Sequence, residues 1–175
     1  TLVYVDAVGG GIGTYANPAS LTDAAAIAYA GIDGIIVVLG SAGDVKTSGV
    51  QLLDGQAVLG GGMTVKITGA DTGATYLWTF QGTRPDIAGT AGGSDIISLA
   101  DENWLQNLDF EGTFYSAIYG NNVTSFEIAD IAVFGAGGVD GVHIYTDISK
   151  DIAQSSELFA TKSSIYGFTS SHILY

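Results

Sequence analysis

Apolar and polar positions recur along the second half of this chain in one short pattern. Leu105, Leu108, Phe110 and Gly112 are spaced 0, 3, 5 and 7. Ile128, Ile131, Val133 and Gly135 repeat that spacing 23 residues later, and Ala160, Ser163, Ile165 and Gly167 repeat it after a further 32. Six or seven residues beyond each glycine comes a short apolar strand, containing Ile118, Val142 and Ile173 in turn. Leu53, Gln56, Val58 and Gly60 read as a looser upstream copy. A period of this length with paired short strands predicts a stacked array, in which each repeat buries its apolar side against its neighbours. Like follows like in one direction, which fits parallel coils; hairpins would reverse the pattern at every turn.

Upstream of the repeats the pattern changes. Leu2 to Val5 reads as a strand and Gly9 to Gly13 as a mobile loop. Ser20 reads as a helix N-cap with Asp23 three residues on, a near capping box. Ala24, Ala25, Ala26 and Ala28 favour that helix, Leu21 and Ile27 give it an apolar side, and Gly31 suits the position after its end. The helix is expected to cover the open end of the first coil. Ile35 to Leu39, Val50 to Leu53, Ala57 to Leu59 and Thr64 to Ile67 read as strands punctuated by glycine turns. Tyr76 to Phe80 alternates with period two, and Thr83 to Ser94, with Pro85 and several glycines, reads as an excursion loop.

Composition narrows the partners. Hydrophobic residues make up 47% and charged residues 13%, with 26 glycines and 2 prolines, so small polar residues do the solvating. Net charge is −13, which repels nucleic-acid phosphates and anionic membrane faces; nucleic acid is excluded as a partner. No run approaches the roughly eighteen apolar residues that span a bilayer, so this segment is not expected to insert in a membrane. The absence of cysteine excludes a disulfide scaffold and thiolate metal sites. The chain opens at Thr1 without an initiator Met or a signal peptide, and stops at Tyr175 inside the strand that would open a further repeat. The expectation is one domain, the N-terminal fragment of a longer solenoid: residues 1–31 form strand, glycine loop and capping helix, and residues 32–175 form coils.

These residues resemble a known superfold. Tyr4-Val5-Asp6, Gly13-Thr14-Tyr15-Ala16-Asn17-Pro18, Ser20-Leu21 with the alanine helix, Asp33-Gly34-Ile35-Ile36-Val37-Val38, and Gly49 to Gln56 leading to Leu59-Gly60-Gly61-Gly62 are similar to the N-terminal part of β-helical passenger regions of bacterial surface and autotransporter-type adhesins. By motif the resemblance covers residues 1 to 62, and by repeat the remainder. It implies an all-β fold, a right-handed parallel β-helix of the pectate-lyase-like kind with coils of about 22 residues. It also implies a non-enzymatic surface or secreted module at the bacterial outer membrane, acting as a rigid stalk or as a contact surface in adhesion and virulence. Host or bacterial cell-surface molecules or glycans would be its partners, together with self-association. The superfold also carries polysaccharide lyases, hydrolases and phage tailspikes, so carbohydrate cleavage is the alternative.

The repeat sets the coils against one another and so names the neighbours of each candidate side chain. Asn107, Asp130 and Lys162 each precede the second apolar position and should stack at one bend, where such side chains hydrogen-bond the turn backbone. Asp109 and Glu111 should point outward opposite Ala132 and Phe134, with no carboxylate facing them, and Asp101 and Glu102 lie in a turn. Arg84, the only arginine, is read as anchoring its loop by ion pairing, with a proton-accepting role in a lyase as the alternative. His143 and His172 fall two positions apart on neighbouring strands and lack a third ligand, so no metal site is expected. The glycine loop lacks the Lys-Ser/Thr ending of a phosphate cradle. Gly137-Gly138-Val139-Asp140-Gly141 occurs once and reads as a turn rather than a Ca²⁺ repeat, and Asn122-Val123-Thr124 is a glycosylation sequon without weight in a bacterial protein. No cofactor and no catalytic residue is assigned. Phe110, Phe126 and Phe168 are read as core, and Tyr115, Tyr119, Tyr145 and Tyr166 as exposed rings on which a sugar would stack.

Overall fold

The computed structural model describes residues 1–68, 73–123, 125–134 and 140–145, apart from the side chains of residues 67 and 145, and the backbone of strands 158–161, 164–166 and 173–174. Their placement makes the protein an all-β fold with one short helix. One parallel sheet contains β1 (Leu2–Val5), β2 (Ile35–Val38), β5 (Ala57–Gly60), β10 (Asn103–Thr113), β12 (Phe126–Phe134) and β14 (Leu158–Thr161), in that spatial order. It also holds β3 (Val45–Thr47), β8 (Asp86–Thr90) and β15 (Ser164–Tyr166): β3 pairs with β8, β8 with β10, and β15 with β12. A second parallel sheet runs β4 (Val50–Gln51), β9 (Ile97–Ser98), β11 (Ser116–Asn121), β13 (Asp140–Tyr145) and β16 (Ile173–Leu174).

The sequence pattern accounts for these registers. Leu105 pairs with Ile128, Leu108 with Ile131 and Phe110 with Val133, and on the far side of β12 Ile128 meets Ala160 and Val133 meets Ile165. In the second sheet Ile97, Ile118, Val142 and Ile173 share one row. Alternation turns Leu105, Phe110, Ile128, Val133, Ile97, Ile118 and Val142 to the core side of their strands. A single apolar cluster therefore unites Ile36, Val58, Leu105, Phe110 and Ile128 of the first sheet with Ile97, Ile118 and Val142 of the second. Phe126 belongs to the same cluster, while residue 168 lies outside the described residues.

The upstream repeat is corrected by five residues. Val58 pairs with Leu105 and not with Phe110. The eleven-residue β10 is templated by two separate strands: β5 lies against Trp104–Gln106 and β8 against Asp109–Thr113. Between β5 and β8 the chain leaves the sheet as an antiparallel hairpin of β6 (Thr64–Thr68) and β7 (Thr75–Thr79). The excursion is this hairpin, and Thr83 to Ser94, read as a loop, contains β8. The glycines and Pro85 masked a strand because β8 supplies only Ile87 and Ala88 as buried side chains of any size.

The N-terminal region also departs from expectation. Ser20 caps no helix. Thr22 is the N-cap residue and makes no side-chain capping bond; a π-helical turn Asp23–Ile27 leads into α1 (Ala28–Ala30). The Asp23 carboxylate accepts the Gln51 amide of β4 at 2.8 Å, so it serves the edge of the second sheet rather than its own helix. Gly31 ends α1 at φ 69°, the left-handed region that favours glycine. The glycine loop is tied down: Gly11 and Gly13 donate to Pro18 and Asn17, while Tyr4 donates to Gly13 and Ala19 donates to Tyr4. Residues 13–19 thus occupy the open edge of β1, as edge-strand protection requires.

Two buried polar side chains fix the bend before the first sheet. Gln56 donates to the carbonyls of Ile27 and Gly31 at 3.0 and 2.9 Å and accepts from Leu53 at 2.9 Å, which adds a second donor to the carbonyls on either side of α1. Asn103, the equivalent residue of β10, donates to Leu53 and Gln56 carbonyls and accepts from Ala100.

Candidate functional site

Two places on the first sheet bring polar or aromatic chemistry together. The first lies at a bend. Leu108 is in register with Ile131 and Gln106 with Ala129, which sets Asn107 beside Asp130, both with positive φ. Asn107 donates to the Gly61 carbonyl at 3.0 Å. Arg84 reaches this stack from the end of the hairpin excursion. Its guanidinium pairs with Asp109 at 2.6 Å and Asp130 at 2.9 Å, and donates to the Asn107 side chain at 3.3 Å and the Leu108 carbonyl at 3.2 Å. Burial disfavours the charge on Arg84, but its hydrogen bonds to Asp109 and Asp130 outweigh that and raise its pKa. Residue 162, expected in the same stack, lies outside the described residues.

The carboxylates do not stand alone. Asp109 is in register with Asp86 of β8, a neighbour the repeat does not give because β8 lies in the segment that reads as an excursion loop. Burial, then repulsion from Asp109 and Asp44, raises the Asp86 pKa, only partly offset by Arg84. Glu111 is raised by burial, by Asp44 and Asp86, and by a hydrogen bond with Asp44. Arg84, Asp109 and Asp130 therefore converge on one face with Asp86 and Glu111 beside them. A guanidinium that donates to four acceptors and keeps its proton cannot act as a base here. The raised carboxyls are the groups with acid character.

The second place is a cleft of about 390 Å³ between the hairpin and the outer face of the sheet. Ile35, Leu59, Trp104 and Gln106 form its sheet side, and Met63, Val65, Lys66 and Phe80 its hairpin side. A smaller apolar cluster, Val37, Leu39, Ala57, Leu59 and Phe80, roots the hairpin there. The Trp104 indole nitrogen is buried and has no acceptor among the described residues. A donor withdrawn from water without a partner is costly, so a shift of the ring that brought this atom to an acceptor in the cleft would be favoured. Beyond the cleft, Tyr76 and Trp78 are exposed on the hairpin.

The tyrosines proposed as binding residues are dispersed. Tyr115 is exposed in the turn between β10 and β11. Tyr119 is half-buried and meets the His143 ring edge-on at 5.7 Å. The backbone of Tyr145 pairs with Asn121 in the second sheet, and that of Tyr166 pairs with Phe134 in the first. His143 lies 3.2 Å from the Asp140 carboxylate, while residue 172 and residues 135–139 lie outside the described residues. Among the described residues, no group of three or more His, Asp or Glu side chains is placed to hold a metal ion. No helix among them is long and apolar enough to cross a membrane. Trp104 and Asn103 carry no mark in the repeat, and Gln56 figures there only as a position of the looser upstream copy. The available signal was a polar residue directly before an apolar strand in two successive repeats.

No family model matches the chain, and comparison with curated proteins and with solved structures finds no match. The class of protein rests on the fold: an all-β protein built mainly on two parallel sheets, with one antiparallel hairpin inserted.

Proposed function

We propose that the chain is a non-enzymatic contact module of an exported bacterial protein, a right-handed parallel β-helix of adhesin or autotransporter-passenger type. It would be secreted or held at the outer-membrane surface, and would bind glycans of a host or bacterial cell. The observation that carries this reading is the cleft under the hairpin, with a buried Trp104 indole N–H that meets no acceptor among the described residues. Its volume of about 390 Å³ falls in the range of small-ligand sites, about 300–1,000 Å³. A sugar ring presents an apolar C–H face to stack on aromatic and aliphatic walls and hydroxyl oxygens to accept from the indole, while Gln106 and Lys66 add polar contacts at the rim. Titration with neutral and uronic oligosaccharides tests this. Binding that weakens about tenfold in Trp104→Phe, which keeps a ring and removes the donor, supports the cleft. Equal binding by both proteins rejects it.

The convergence of Arg84 with Asp109 and Asp130, beside Asp86 and Glu111, favours a second reading, carbohydrate cleavage as in a polysaccharide lyase, hydrolase or tailspike. Paired carboxyls with separated proton affinities are what such hydrolysis uses. Release of reducing or unsaturated ends from an acidic polysaccharide, lost in Asp86→Asn and Glu111→Gln, would replace the first reading with this one.

A further inference from the structure

We infer that the β7 strand pairs with β7 of a second copy of this chain, antiparallel and centred on Leu77. Three observations lead to it. First, Tyr76, Leu77 and Trp78 are 64%, 76% and 51% exposed, and β6 and β7 pair only with each other among the described residues. Second, Phe80 donates to the Met63 carbonyl at 2.9 Å, and hydrogen-bonded residues alternate along an antiparallel pair. Trp78 and Tyr76 therefore turn their amides toward β6, and Thr75, Leu77 and Thr79 turn theirs outward. Third, the strand Thr75-Tyr76-Leu77-Trp78-Thr79 reads nearly the same in either direction.

A two-fold axis at Leu77 makes that symmetry physical. Leu77 faces Leu77 of the second copy, Tyr76 faces Trp78, and Thr75 faces Thr79, the threonine–threonine contact that Thr64 and Thr79 already make at 2.8 Å within the hairpin. The outward amides and carbonyls fall on the residues that such a register would bond. The choice of edge follows from charge: β6 carries Lys66, a usual guard against edge pairing, whereas β7 carries no charge. Elsewhere two chains of net charge −13 repel one another, so association is confined to this uncharged strand and strengthens as salt screens the remainder. The product is a four-stranded antiparallel sheet in place of two two-stranded hairpins.

Sedimentation of the chain from micromolar to millimolar concentration tests the pairing. The apparent mass is expected to rise toward a dimer, at lower concentration when ionic strength is raised, and Leu77→Lys is expected to stay monomeric while keeping its circular dichroism and its saccharide binding. Because the chain has no cysteine, register can be read directly with a short bismaleimide. Leu77→Cys should cross-link to itself, and Thr75→Cys should cross-link to Thr79→Cys in a mixture. Thr75→Cys alone should not, since the two sites lie ~14 Å apart along the strand. A wild-type chain that stays monomeric at millimolar concentration overturns the proposal and leaves β7 to another partner. So does a Leu77→Lys chain that dimerises normally, or a Thr75→Cys chain that links to itself as readily as Leu77→Cys.

Discussion

Asn107 and Asp130 lie side by side on adjacent parallel strands, at φ 61° and 51°, and Arg84 bonds both side chains. The left-handed backbone at each bend turns the strand, and short polar side chains tolerate that conformation. Arg84 converts two local bends into one cross-strand tie, at the point where the chain re-enters the sheet after the hairpin.

Arg84→Met should therefore destabilise the fold by about 1–3 kcal/mol, because Asp109 and Asp130 lose their shared cation in a partly buried setting. Urea unfolding measures this. Adding Asp109→Asn should recover part of the loss, and strict additivity of the two changes would show that the pair is uncoupled.

Gln56→Ala should cost about 1–3 kcal/mol, more than an exposed substitution, since it takes the acceptor from the Leu53 amide and leaves the Ile27 and Gly31 carbonyls with only their backbone donors, Gly31 and Gly34. Thermal unfolding of Gln56→Ala beside Gln51→Ala provides the comparison. Equal melting temperatures would mean that water replaces the lost bonds.

Gly60→Ala should destabilise because the Asn107 backbone carbonyl occupies the space a Cβ would need. Gly43→Ala provides a contrast: its site has open space, and the cost is only that of positive φ, about 1 kcal/mol. A smaller loss in Gly60→Ala than in Gly43→Ala would place the two strands further apart than described.

Stability should fall with rising pH through the window between the ordinary carboxylate range and the raised values of Asp86 and Glu111. Both groups hold protons more tightly folded than unfolded, so over that window the native state binds more protons and the slope of stability against pH is negative. Glu111→Gln should flatten this slope and raise the neutral-pH melting temperature. A melting curve series from acidic to neutral pH checks both, and a steeper slope in the variant would contradict the assignment.

The parallel pairing of β10 with β12 and β11 with β13 was legible because Leu105, Leu108 and Phe110 have same-spaced counterparts, and a period-two pattern admits few registers that keep all of them inside. The slip at Val58 arose because an insertion splits the preceding repeat into β5 and β8, which no constant period can represent. The Arg84 cluster was half legible. Its stack of Asn107 and Asp130 followed from the repeat, whereas Asp86 joined Asp109 through a strand hidden by glycine and proline. The hairpin cleft was not legible, because Trp104 alternates outward like any solvent-facing residue until a separate segment covers it.

That insertion carries a consequence for how the molecule could vary. Gly61 donates to Val38, Gly62 to Phe80 and Gly40 to Thr83, so the excursion leaves and returns through adjacent points of the frame. Loop-closure entropy rises only slowly with length, by about 0.6 kcal/mol per doubling, when the ends are already held together. The junction works as a socket: segments of different length and recognition chemistry can be exchanged there while the strands beneath keep their register.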